Sequence, residues 1–158
     1  MAVVIADAGS LIAFAKVGQL SILQKLFVEI IVTEAVLDEC LVGNGVDSQR
    51  IKAAIEQGWI KSVANPVLLT AYSRSLGIGE KTSMEFALNL DEPVLLVMDD
   101  RLARRKARSL NLEVVGTAML LYKAQSLGYL ANADEQVMLL RQSGYRISDA
   151  VIAVVKGL

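Results

Sequence analysis

The chain has 158 residues, 54% of them hydrophobic, a formal net charge of −1 and no histidine. That length fits one domain with a sizeable core, and so small a charge exerts no global pull towards nucleic acid, leaving any such role to a local patch. Without histidine, Ser-His-Asp and Cys-His catalysis and every histidine-ligated zinc site are excluded, and the lone Cys40 excludes an internal disulfide framework. No run reaches the roughly 18 apolar residues of a membrane span. The opening MAVVIAD lacks the basic region and cleavage site of a signal peptide. With a single cysteine, which reads as a small buried hydrophobe, the expectation is a cytoplasmic protein.

In chain order, 3–7 reads as a short valine-rich strand of the kind buried in parallel sheets. Asp7-Ala8-Gly9-Ser10 breaks it, and Ser10 is the expected cap of a helix starting at Leu11-Ile12. Leu20 to Phe27 predicts a second helix and 29–32 a second strand. Thr33 caps a helix whose inward residues include Val36 and Cys40. Gly43-Asn44-Gly45 is a turn, Asp47 or Ser48 opens a helix ended by Gly58, and Trp59 to Val63 is a strand. A helix is expected over 66–77 after Asn65-Pro66, and another from Gly79-Glu80. Pro93 precedes a strand at 94–98, followed by a helix over 100–110 and a strand at 113–116. Thr117 is the expected cap of the next helix, and two more lie near 133–143 and 149–156. Strands alternating with helices imply an α/β sandwich around a parallel sheet.

The chemistry-bearing residues sit at the ends of these elements. Asp7 ends the first apolar strand, and Asp99-Asp100 end the run Val94-Leu95-Leu96-Val97-Met98. In doubly wound sheets, function gathers at the carboxyl ends of strands where their order reverses. If the two strands are neighbours, three carboxylates converge and repel, and a hard cation such as Mg²⁺ or Mn²⁺ relieves the repulsion. Helix capping accounts equally well for a single Asp, but adjacent acids call for more. Glu39 follows Val36 by three residues, close to the inward stripe of its helix, although a lone helical Glu reads first as a solvated surface charge, and Glu80 stands at a helix start, where negative charge suits the dipole. Arg101, Arg104, Arg105 and Arg108 share one helix face by spacing. That face is either solvated or a phosphate rail, since arginine's fork suits phosphate; beside a carboxylate–metal centre it points to phosphodiester cleavage. Gly77-Ile78-Gly79 does not follow a strand and lacks a third glycine, and no GxxxxGK[ST] loop is present, so nucleotide-cofactor readings are weak.

These blocks resemble the PIN domain, a family of metal-dependent ribonucleases that includes the VapC-type toxins of toxin–antitoxin pairs. VVIADAGSLIAFAKVGQL resembles the family's opening strand, first acid and helices, and VTEAVLDEC its second strand and Glu-bearing helix. LGIGEKTSMEFAL resembles a G-E-x-E-A-x-x-x-A helix, and VLLVMDDRLARRKARSLNLEVVGT a strand, acid pair and Arg-rich helix. Gly144-Tyr145-Arg146-Ile147-Ser148 resembles the tail of that branch. The resemblance implies a three-layer α/β/α sandwich with a parallel sheet of four to five strands, the first beside the fourth. It further implies one domain over 1–158, with C-terminal helices from about 117 packed on it.

Carried over by position, Asp7, Glu39 and Asp100 are the expected metal ligands for Mg²⁺ or Mn²⁺, and Asp99 and Glu80 complete the catalytic set. The second Glu of G-E-x-E-A falls on Thr82, which could position water; restoring an acid by Thr82→Glu is then expected to tighten the metal. The resemblance thus implies a PIN-type endoribonuclease, with a toxin-like RNase among the roles it suggests, acting on single-stranded or structured RNA along the Arg101–Arg108 face. The alternative is a catalytically weak RNA- or protein-binding module. The expected partners are RNA, a small antitoxin protein and a second copy. A homodimer is expected because Leu11, Ile12, Phe14, Leu20, Ile22 and Leu23, with the segment 66–76, are more apolar than one buried stripe requires.

Overall fold

Five short strands, β1 (Val3–Ala6), β2 (Ile30–Thr33), β3 (Ile60–Val63), β4 (Val94–Val97) and β5 (Glu113–Val115), pair in parallel in the order β3-β2-β1-β4-β5. The structure, a computed structural model, describes residues 2–157; Met1 and Leu158, the ends of the expected 1–158 domain, lie outside the described residues. Nine helices are found among the described residues: α1 (Ala8–Lys16), α2 (Leu20–Phe27), α3 (Glu34–Cys40), α4 (Val46–Glu56), α5 (Ile78–Leu88), α6 (Arg101–Ser109), α7 (Thr117–Ser126), α8 (Ala133–Gln142) and α9 (Asp149–Lys156). None is long and apolar enough to cross a membrane.

The inner strands β1, β2 and β4 are covered on both faces, which is why they read as apolar runs, whereas the edge strands β3 and β5 carry the exposed Lys61, Ser62 and Glu113. Alternation along each strand sends Val4, Ala6, Ile30, Val32 and Val97 into a larger core, with Leu11, Phe14, Leu23, Leu121 and Val137 from the helices on that side. Ile5 and Leu96 point the other way, to Met84 and Ala87 of α5 and Ala103 and Ala107 of α6. The register Ile5–Leu96 and Ala6–Val97 keeps each face consistent across β1 and β4. The result is a three-layer α/β/α sandwich. The chain order reverses between β1 and β4, so the switch point lies between Asp7 and Asp99-Asp100, as the acids at the strand ends require.

Four expectations are corrected. The first helix begins at Ala8 rather than Leu11, because Asp7 is its cap: the backbone of Asp7 is extended and its Oδ1 accepts the Ser10 amide at 3.0 Å. Thr117 is not a cap but the first residue of α7, with Gly116 as the cap. No helix forms over 66–77. The buried carboxylate of Glu85 in α5 accepts the amides of Leu69 at 3.0 Å and Thr70 at 2.9 Å, together with the Thr70 and Tyr72 hydroxyls. It thereby draws that segment out as a strap over α5. Finally, Leu11, Phe14, Leu20, Ile22 and Leu23 are buried in the chain's own core, and Ile12 is half-buried. Burying such side chains contributes roughly 1.5–3 kcal/mol each, which accounts for the apolar crowding of α1 and α2 without a second copy.

Candidate metal centre

The C-terminal edge of the sheet presents, in lateral order, Thr33 at the end of β2, Asp7 after β1, Asp99-Asp100 after β4 and Thr117 after β5. Three of these polar groups also organise helices. Asp7 caps α1, Thr33 caps α3 by accepting the Val36 amide at 3.4 Å, and Asp100 caps α6 by accepting the Ala103 amide at 2.9 Å. Each helix therefore starts where its strand ends, and at α1 and α6 the cap that orients the helix is also a carboxylate at the switch point. The helix capping weighed for a single Asp thus holds for Asp7 and Asp100, but it engages only one oxygen of each.

Asp99 behaves differently. Its Oδ1 accepts the Thr117 amide at 2.8 Å, so it serves from a neighbouring strand as the acceptor that Gly116 lacks. Its Oδ2 accepts the hydroxyls of Ser10 at 3.2 Å, of Thr117 and of Tyr145. The fit requires glycine at 116: a Cβ there would stand 2.8 Å from Asp99 Oδ1 and 2.6 Å from Arg104 Nη1. Burial and then the Asp99 charge push the Tyr145 phenol well above its ordinary range, so it acts as a donor.

From the other side of the edge, α3 and α5 bring Glu39 and Glu80. Gly79 permits this approach, since a Cβ at that position would lie 2.7 Å from Glu39 Oε1 and 3.1 Å from Val36 Cγ2. Glu80 Oε1 reaches back to accept the Gly77 amide at 3.0 Å, the half of a capping box that a glycine N-cap allows. Its Oε2 is buried and has no hydrogen-bond partner among the described residues.

The electrostatics link these acids. Burial first, then the charges of Asp99 and Glu80, raise the Asp7 pKa from 3.8 to about 7, against the opposing Ser10 amide. Burial, then Asp100 and Glu39, raise that of Glu80, against the Gly77 amide. Glu80 thus feels Asp7, Glu39 and Asp100 together. Cys40, directly after Glu39, is buried, and its thiol is pushed up to about 12, which removes it from any nucleophilic or ligand role.

A hard divalent cation fits this donor set. The groups are oxygens only, they repel one another, and the orphaned Glu80 Oε2 lacks the counter-charge that an ion supplies. Among the described residues no three acidic or thiol side chains are placed to hold one metal ion, so Asp7, Glu39 and Asp100 share an end of the sheet without closing on a single point. Mg²⁺, which keeps several waters and takes one or two carboxylates, does not require such closure.

Thr82, at the position of the missing motif acid, is fully buried. Its hydroxyl meets Thr33 Oγ1 at 2.8 Å and donates towards the carbonyls of Ile78 and Gly79. These contacts leave no hydroxyl to orient water, contrary to the role expected of it.

On α6, Arg101, Arg105 and Arg108 are exposed, and Arg104 is half-buried beside Gly116. Burial, then Arg108, lower the Arg104 pKa, while Asp99 opposes them. The ion pairs among the described residues are Lys61–Glu29, Arg141–Asp149 and Lys156–Asp134, so none of the four arginines is committed to a carboxylate. Lys106 leaves this face and lies 5.7 Å from the Tyr72 ring on the strap.

A family model described as PIN domain matches residues 3–157. The chain belongs to the PIN domain family. A search of curated proteins finds no match. Within this PIN domain, Asp7, Asp99, Asp100, Glu39 and Glu80 all lie at one end of the sheet. Three hydroxyl residues around Asp99 add to that set. Ser10 and Thr117 were legible only as caps, and Tyr145 only as part of a tail motif; nothing in their local sequence ties them to an acid up to 89 positions away.

Proposed function

We propose that this PIN domain is a Mg²⁺- or Mn²⁺-dependent endoribonuclease. The observation that carries the reading is the mutually repelling acid group around the buried Asp7, with its orphaned Glu80 Oε2, set beside four arginines that form no ion pair among the described residues. Asp7, Glu39 and Asp100 would hold the ion, one or two of them directly and the rest through its waters, and Glu80 and Asp99 would complete the set. The bound ion supplies an activated water and neutralises charge developing on phosphate. The protein's own part is positional. Capping fixes one oxygen of Asp7 and of Asp100 and leaves the other for the ion. Arg101, Arg104, Arg105 and Arg108 align the phosphate backbone through charge-assisted hydrogen bonds. The test is cleavage of structured RNA in Mn²⁺, with EDTA and Asp7→Asn as controls. Cleavage that survives both controls would overturn the reading.

A second reading, an RNA- or protein-binding module without efficient cleavage, rests on Thr82, buried where the family motif places an acid. Salt-sensitive RNA binding with no Mn²⁺-dependent product would favour it. A toxin-like role with a small antitoxin remains part of the proposal; a small antitoxin-like reading frame beside the gene would support it. The homodimer is likewise proposed, now on the exposed Val67 and Leu69 of the strap.

A further inference from the structure

Arg104 stands apart from the other arginines of α6. Arg101, Arg105 and Arg108 are exposed, whereas Arg104 is half-buried and its guanidinium lies across Gly116. A Cβ at Gly116 would come within 2.6 Å of Arg104 Nη1 and 2.8 Å of Asp99 Oδ1. The missing side chain is thus the gap through which Arg104 reaches the acid group. Among the described residues Arg104 and Asp99 make no ion pair. Asp99 takes neutral donors instead: the Thr117 amide at 2.8 Å and the hydroxyls of Ser10, Thr117 and Tyr145. The carboxylate is satisfied without the guanidinium beside it, and the fork of N–H donors stays available to another anion. The free protein holds that fork at a disadvantage. Burial and then the charge of Arg108 disfavour the Arg104 cation, and Asp99 offsets them only in part. A phosphate would relieve both, since two of its oxygens match the fork and its charge separates the two arginines.

We propose that Arg104 is a catalytic residue that grips the phosphate undergoing cleavage, while Arg101, Arg105 and Arg108 hold the neighbouring phosphates. The inference rests on the ribonuclease reading above and separates one arginine of the face from the rest by role. Hydrolysis bonds a water oxygen to phosphorus, breaks the P–O bond to one ribose oxygen and passes a water proton to that oxygen. Charge builds meanwhile on the two oxygens that bridge nothing. A fork already desolvated and held against the sheet edge meets that charge without first shedding water, so its contribution is larger in the transition state than in the bound ground state. The exposed arginines bind phosphate equally well before and during the reaction and add affinity alone.

Cleavage of a fluorescently labelled structured RNA in Mn²⁺ separates the roles. Arg104→Ala should lower kcat on the order of a hundredfold with little change in KM, whereas Arg101→Ala should act chiefly on KM. Arg104→Ala also leaves space where the fork was, so millimolar guanidinium should restore part of kcat and ammonium at the same concentration should not; a packing role predicts no such rescue. Arg104→Lys keeps charge and stem but loses the fork, and should lower kcat about tenfold; it decides the matter if Arg104→Ala does not fold. A second readout needs neither metal nor cleavage. Inorganic phosphate titrated into the wild-type chain in EDTA should move the Arg104 Nε–H resonance at lower concentration than those of Arg101, Arg105 and Arg108. Unchanged kcat in the Arg104 variants, a loss in KM alone, a kcat loss that guanidinium leaves untouched, or a phosphate response led by an exposed arginine overturns this inference and leaves the ribonuclease reading standing. Absence of Mn²⁺-dependent cleavage by the wild-type chain overturns that reading and this inference with it.

Discussion

Asp7 concentrates the electrostatic cost of the site. Its carboxyl is neutral in both the folded and the unfolded chain below its ordinary value of 3.8, but between there and its folded value of about 7 only the unfolded chain ionises. Stability should therefore fall as pH rises through that window and level off above it. Asn at position 7 keeps a capping oxygen, so Asp7→Asn should flatten this dependence and stabilise the metal-free protein at about pH 8 by on the order of 2–4 kcal/mol, with little gain near pH 4. Urea titrations at the two pH values would measure it; equal gains at both would mean that ionisation is not the cause. The same substitution should weaken Mn²⁺ binding. Thr82→Glu places one more carboxylate in buried surroundings near Glu39 and Glu80. It should lower the melting temperature without metal, and added Mn²⁺ should raise that temperature by more than it does for wild type. A variant with the wild-type response to Mn²⁺ would show that position 82 does not reach the ion.

At the scale of elements, α6 and the strap carry separate predictions. Arg101 is exposed and follows Asp100 directly, whereas Lys106 lies against the Tyr72 ring. Arg101→Ala should weaken RNA binding clearly more than Lys106→Ala and reduce the salt slope of binding by about one. Equal losses would return the arginine face to ordinary solvation. The strap depends on Glu85. Burial alone would raise its pKa, but the hydrogen bonds from Thr70, Leu69 and Tyr72 outweigh burial and hold it below its ordinary 4.5. The tie is therefore complete above that value and is lost as pH falls through the lower folded one. Glu85→Gln presents a single acceptor oxygen to four donors, so amide exchange over 66–77 should accelerate while the core strands stay protected. Unchanged exchange there would mean that the strap is held by packing alone.

For the whole molecule, the location of apolar surface decides how association should behave. Val67 is 76% and Leu69 83% exposed, while Ile12 is half-buried against the larger core. Leu69→Asp should shift the proposed homodimer to monomer in sedimentation at micromolar concentration without loss of fold. Ile12→Asp should lower the melting temperature instead, because it puts a charge against packed core. Dissociation by Ile12→Asp and not by Leu69→Asp would move the interface back to α1.

Much of the architecture was legible in local sequence, because a buried parallel strand is a short apolar run and a carboxylate at its end breaks that run. The two valine-rich segments ending in Asp7 and in Asp99-Asp100, the glycine-bounded helices and the arginine spacing of α6 are all of this kind. Tertiary structure decided which polar group takes which donor. Whether 66–77 coils into a helix or is drawn out by Glu85 and whether Thr82 faces ligand or Thr33 are competitions between local and distant partners, and whether Asp7 or Ser10 caps α1 is a competition between two local ones. The Tyr145 hydroxyl on Asp99, 46 positions away, is the extreme case. No periodicity encodes it, since only the packed helices and sheet bring the two groups together.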